Sequence, residues 1–305
     1  MVFKYDLAQF IPFRDAEECA RVRAIKKEDV TKHQNPDFKI RIIEDAHEFY
    51  TEFALDIVGR IKKALDEDRR FVGIFPVGPM SQYDIAAKII NRFKISMKHV
   101  HTFNMDEYAD QNGNAAPLEW AGSFQRAMIE SFFWKVDESL RPPLSQIHFP
   151  TKNNLQAYGK MIEDSGGADV CYGGIGWCGH IAFWEAHLGD EFRDDLESYK
   201  KAGPRLVELH PMTIMQNALH SFGGDWSWVP PKAYTIGPAQ ILAAKDRSFW
   251  LDGQLGGGMS WQRFIARLVA HGTVNVYVPG SILQTVPGTY TLLGGVAENV
   301  EIRMA

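Results

Sequence analysis

The chain has 305 residues, 45% of them apolar and 23% charged, with a net charge of only −5; this is the composition of an ordinary globular protein, and without a basic tract it excludes a general nucleic-acid binder. Three cysteines, Cys19, Cys171 and Cys178, form an odd set without C-x-x-C spacing, which argues against a disulfide framework and against a structural zinc site. Charges interrupt the opening MVFKYDLAQFIPFRDAEE (1–18) every few residues and no later run is long enough to span a bilayer, so a cytoplasmic protein without a membrane partner is expected.

From residue 44 onward helix-like and strand-like segments alternate. EDAHEFYTEFALDIVGRIKKALDED (44–68) places Phe49, Phe53, Ile57, Ile61 and Leu65 at fourfold spacing, the stripe of an amphipathic helix. FVGIF (71–75) reads as a short buried strand, YDIAAKIINRF (83–93) as a helix and HVHTFN (99–104) as a strand. WAGSFQRAMIESFF (120–133) is helical again, and the aromatic run Phe132, Phe133, Trp134 suits the core first and an interface second. A third round runs through QIHFP (146–150), LQAYGKMIED (155–164) and DVCY (169–172). GIGWCGHIAFWEA (174–186) follows that strand and precedes a predicted helix, after which residues 186–228 mix charges, Gly and Pro with weak periodicity and read as a helical lid. RSFWL (247–251), MSWQRFIARLVA (259–270) and VNVYV (274–278) continue the strand, helix, strand series. The alternation predicts an α/β fold, a doubly wound and mostly parallel sheet with helices on both faces. It places one domain over 45–305, preceded by an extension over 1–44.

Ligands in such sheets sit at the carboxyl ends of the strands, where Gly78, the segment NMDEY (104–108) and the glycine-rich stretch all stand. Gly174, Gly176 and Gly179 satisfy G-x-G-x-x-G, but the acidic residue needed about 20 positions later would fall in DEFRDDLE (190–197), which no apolar strand precedes. This argues against a dinucleotide. The glycines still suit a turn with positive φ that lets a ligand approach backbone N–H groups at a helix N-terminus. His180, placed in a first helical turn with Glu185 five residues on, would form an acid/base unit in which the carboxylate orients the imidazole. Asp106 would reach the same sheet edge from another strand, with Glu107 as a competing candidate; a turn or capping role would also explain Asp106. Cys178 lies two residues before His180, but near neighbours rarely point at each other across a turn, so a Cys-His nucleophile is disfavoured. No His/Cys cluster marks a metal site, and neither metal nor organic cofactor is expected. Trp177 and Trp184 flank His180 and suit core packing first, and stacking on a sugar ring second.

TFNMDEY (102–108), GIGWCGHIAFWE (174–185), VPPKAYTIG (229–237) and SILQTVP (281–287), in that order, resemble the glucosamine-6-phosphate deaminase/isomerase family, to which the 6-phosphogluconolactonases are related. The resemblance spans roughly residues 45–290, and the F-N-M-D-E-Y and G-H-I-A-F forms point to the deaminase branch. It implies that Asp106 moves a proton between C2 and C1 of an opened sugar, that His180 assists ring opening, and that Glu185 orients His180. Substrate contacts are expected from Gly78, Glu107, Gly174, Gly176, Trp177, Cys178, Gly179 and Trp184. The expected partner is a small-molecule sugar, with homo-oligomerisation left open. Several positions depart from the family pattern. Cys178 stands where the family carries an acid, PVGP (76–79) lacks the hydroxyls of the family's phosphate loop, the expected lysine falls near Leu255 or Gly256, and the expected arginine near Leu219 or His220. Losing those cations and hydroxyls removes charge-assisted bonds worth roughly 1.5–3 kcal/mol each. An unphosphorylated substrate is therefore expected, with sugar-lactone hydrolysis and non-catalytic sugar binding as the alternatives.

Overall fold

The structure, a computed structural model, describes residues 5–255, 258–302 and 304. In chain order, α1 (Ala16–Arg23) leads into β1 (Phe38–Ile43), α2 (Ala46–Asp66), β2 (Phe71–Phe75), α3 (Ser81–Phe93), β3 (Val100–Asn104) and β4 (Asp106–Ala109). Next come α4 (Phe124–Ser131), β5 (Ile147–His148), α5 (Leu155–Asp164), β6 (Val170–Gly173) and the short helices α6 (Gly189–Phe192) and α7 (Leu196–Lys200). They are followed by β7 (Arg205–Glu208), α8 (Pro211–Ser221), β8 (Lys232–Thr235), α9 (Pro238–Ala243) and β9 (Arg247–Leu251). The described chain closes with β10 (Gln254–Leu255), β11 (Met259–Ser260), α10 (Arg263–His271), β12 (Gly288–Leu293) and α11 (Gly294–Ala297).

The central sheet has seven strands in the order β1-β12-β9-β6-β2-β3-β5, every pair parallel. Its inner strands β2 and β9 are buried along their whole length, which is why FVGIF reads as a continuous apolar run and RSFWL, after its Arg-Ser start, ends in one. Behind them α2 lays down its fourfold stripe, where Phe53 stacks on Trp250 with ring centroids 4.5 Å apart and planes 4° from parallel. The side chain of Asp45 caps α2 by accepting from the Glu48 N–H, which fixes where that helix starts.

Four expectations are corrected. Residues 38–43 fall within the expected extension over 1–44, yet they form the edge strand β1 of the central sheet, paired with β12 from Phe38↔Gly288 to Ile43↔Leu293. Their alternation of apolar and basic residues is that of a strand with one face inward. VNVYV is no strand, because Asn275 and Val278 bridge across a tight turn; the seventh sheet strand is instead GTYTLL, whose Gly and Thr residues hide its β character. The region 186–228 is not purely helical, since β7 pairs antiparallel with β8, and β8 with β4, in a second, three-stranded sheet. Finally, no helix begins within residues 174–185, so the glycine turn does not present a helix N-terminus. Among the described residues no helix is long and apolar enough to cross a membrane. Phe132 and Phe133 are buried as expected, whereas Trp134 is exposed.

Candidate active site

Four adjacent strands, β9, β6, β2 and β3, deliver their carboxyl ends to one cavity of about 890 Å³. Asp252 follows β9, Gly174 and Gly176 follow β6, Gly78 follows β2, and Asp106 follows β3; all of them line the cavity. The opposite wall comes from α8 and its flank, with Gln216, Asn217, His220 and Trp228. α8 is held in place by Pro211 at its first turn and by the ring of His210, which accepts from the Met212 N–H.

His180 is presented by a backbone turn. The Gly179 N–H donates to Gly176 O at 2.9 Å and the Gly176 N–H to His180 O at 3.0 Å, while Gly179 takes φ +84, a region that favours glycine. The fold-back has a consequence that local spacing hides: Cys178 Sγ comes within 3.3 Å of His180 Nδ1, so these near neighbours do meet. His180 Nδ1 also lies 3.0 Å from Thr213 Oγ1, whose hydroxyl donates to Glu185 Oε2 at 2.9 Å. Cys178 Sγ is 3.1 Å from that same oxygen, and the His210 N–H donates to Glu185 Oε1 at 3.2 Å. Cys178, His180, Glu185 and Thr213 are all buried. Cys178, His180 and Glu185 bring their donor atoms within 4.8 Å of one another, a thiol, imidazole and carboxylate set that could hold a metal ion, contrary to the expectation that no Cys/His cluster exists. Without an ion, their mutual hydrogen bonds make a relay that occupies Nδ1 and leaves Nε2 for a substrate.

Burial penalises the charged imidazole, but Cys178 and Glu185 outweigh it and the ring is held protonated above its ordinary range. Glu185 is likewise penalised by burial, yet His180, Cys178 and Thr213 pull it below the usual carboxylate value. Asp106 is the opposite case. Burial pushes it up to about 8, against the attraction of His180 and with a push from Glu107. Among the described residues no group donates a hydrogen bond to its side chain. A shielded carboxylate with that pKa, free of partners, is suited to taking a proton from carbon near neutral pH.

Glu107 does not face the cavity. It accepts from the N–H groups of Tyr108, Phe124 and Gln125 and from the Ser123 hydroxyl, and so serves the N-terminus of α4. Trp184 is fully buried under Arg205, whose guanidinium sits 4.6 Å above its ring, and Trp177 packs toward Trp261 with its N–H on Gln216 Oε1; neither lines the cavity. Cys178 and Gly179 lie behind His180 rather than on the wall. Spacing did not reveal Thr213, Tyr50, Asp252, Gln216 or Asn217. The only local signal was the His-Pro start of α8, which marks the helix carrying three of them.

Gly176 has its own constraint. A Cβ there would lie 1.9 Å from His180 Nε2, so the imidazole rests directly on the bare backbone. Gly176→Ala is expected to displace the ring by about an ångström and lower kcat/KM about 10²-fold, with a stability loss of roughly 1–3 kcal/mol. Steady-state rates beside thermal unfolding test this; a variant as active as the native chain would show that the ring is not confined.

No family model matches the chain. It is 32% identical over 214 residues to a glucosamine-6-phosphate deaminase of Caenorhabditis elegans, covering 67% of this chain and 73% of that protein. It is 31% identical over 222 residues to the glucosamine-6-phosphate deaminase of Porphyromonas gingivalis, covering 70% and 77%. Among solved structures, a monomeric glucosamine-6-phosphate deaminase superposes with a TM-score of 0.71 at 21% identity, covering 85% of this chain and 99% of the other. The 6-phosphogluconolactonase of Trypanosoma cruzi gives 0.59 at 15% identity, covering 88% and 99%; identities this low speak for the fold alone.

Proposed function

The chain belongs to the glucosamine-6-phosphate deaminase family, and from that premise we propose an aldose-ketose isomerase and deaminase of an amino sugar, in which Asp106, His180 and Glu185 carry the chemistry. The observation that supports this best is the shared cavity: an unpartnered Asp106 with a pKa of about 8, after β3, and a protonated His180, after β6, line it together, with the end of β2 between them. His180 donates a proton to the ring oxygen and takes the one that the C1 hydroxyl loses, so the pyranose opens to the aldehyde and the imidazolium is restored. Asp106 then removes the C2 proton, the electrons form a C1–C2 double bond as the aldehyde oxygen takes a proton from the imidazolium, and the same carboxyl delivers its proton to C1. This leaves an imine at C2, which water hydrolyses with release of ammonia. Glu185, through Thr213 and Cys178, holds the imidazolium in its orientation. No organic cofactor enters these steps.

The segment 186–228 is read as the lid of this site, supported by the wall residues it supplies from α8. A cytoplasmic setting is part of the same proposal, supported by three free, buried cysteines. The test is to incubate the protein with amino sugars, phosphorylated and free, in deuterated water. Deuterium at C1 or C2 together with ammonia is expected. Opening of a sugar lactone without exchange would turn the reading to a lactone hydrolase, and binding without either reaction to a sugar-binding protein.

A further inference from the structure

We propose that the cavity selects a sugar whose distal end carries a free hydroxyl rather than a phosphate, and that Asp252 with Tyr50 receives that hydroxyl. The inference rests on the sugar-isomerase reading above. Its first support is charge: among the described residues no lysine or arginine lines the cavity. Leu255 stands where a lysine was expected, and Gly256 lies outside the described residues; at the position of the expected arginine, burial keeps His220 below the usual histidine range and therefore uncharged.

The second support is what occupies the far end instead. Asp252 leaves β9 three strand positions from β3, where Asp106 sits, so the two carboxyls enter the cavity from opposite sides, about 14 Å apart at the backbone. The Tyr50 hydroxyl donates to Asp252 Oδ2 at 2.7 Å, and Ser81, the first residue of α3, stands near Tyr50. Asp252 and Tyr50 thus share the cavity with the residues that lead into a helix N-terminus, the place where a phosphate would otherwise be favoured. Gly78, Pro79 and Met80 line the wall just before that helix, and none offers a hydroxyl. Burial already holds Asp252 above the ordinary carboxyl range. A phosphate dianion beside it would meet repulsion or force proton uptake, whereas a sugar hydroxyl can donate to Oδ1 and accept from nothing charged.

The experiment compares kcat/KM for glucosamine and glucosamine 6-phosphate, by ammonia release and C2 exchange, in the native chain, Asp252→Asn and Tyr50→Phe. The native chain is expected to favour the free sugar by about tenfold or more, and Asp252→Asn to erase that preference by losing the free sugar and gaining the ester. Tyr50→Phe removes one hydroxyl and guards against a folding failure of the first variant; it should shift the preference the same way by a smaller factor. A native preference for the ester, or a preference unmoved by both variants, overturns the inference while the isomerase reading stands. If neither compound reacts, titration calorimetry with 2-amino-2-deoxyglucitol and its 6-phosphate decides. Binding of the free polyol alone upholds the inference while the isomerase reading falls; binding of the ester alone, or of neither, overturns it.

Discussion

Asp106→Asn is expected to lower kcat/KM by about 10²–10⁴-fold, the range for removing a positioned general base, while the chain stays folded. The carboxylate is buried with no donor to replace, so an amide of the same shape removes the base without leaving a partner stranded. The sign of the stability change follows from the pKa. In the folded chain the acid is raised from 3.8 to about 8, so it adds stability at low pH that is lost as pH rises through that interval. Asparagine carries no such penalty, and at pH 8 the variant should unfold at the same temperature as the native chain or higher. In the native chain, kcat/KM should climb about tenfold per pH unit toward a plateau above pH 8, since the base must be ionised. His180 remains protonated there because its own pKa is raised. A profile already flat between pH 5 and 8, or a variant with native activity, would remove Asp106 from the chemistry.

His180→Asn should cost about 10²-fold or more with a cyclic substrate, and the loss should depend on the form of the sugar. The ring nitrogen assigned to the substrate is Nε2, because Nδ1 is engaged by Thr213 and Cys178. If its work is protonation of the ring oxygen, an acyclic aldehyde bypasses that step and the variant should recover most of its C2 exchange. Equal losses with cyclic and acyclic substrates would assign His180 to the proton transfer itself. Asp106→Asn should lose both reactions alike, which separates the two residues.

The buried strands and the amphipathic helices were legible because burial on one or both faces writes itself into neighbouring residues. LQAYGKMIED reads as a helix, and Leu155–Asp164 is one. The second sheet was not legible, since KAYT and RLVE are four residues long and acquire strand form only by pairing with each other and with DEYA. VNVYV alternates like a strand but has no neighbour to pair with, and closes into a turn. At the site, Asp106, His180 and Glu185 stood out through motifs, whereas Thr213 reaches His180 from α8, and Tyr50 and Asp252 reach the cavity from α2 and the end of β9. Nothing in their local sequence announces that meeting. Glu107 misled because it neighbours Asp106: along a strand successive side chains alternate sides, so one carboxylate takes the donors of a helix start and the other is left with none.

The pairing of β1 with β12 bears on how the chain is made. Phe38 is made long before Gly288, so the sheet edge on that side cannot close until all the residues between them are available. Until then β9 presents an unpaired edge, because β12 is its neighbour on that side. The loop that must close spans everything between Phe38 and Gly288, and its entropic cost falls before the contacts that repay it. β1 and β12 therefore act as a clasp, fastened late, on a sheet whose cavity opens across its middle strands.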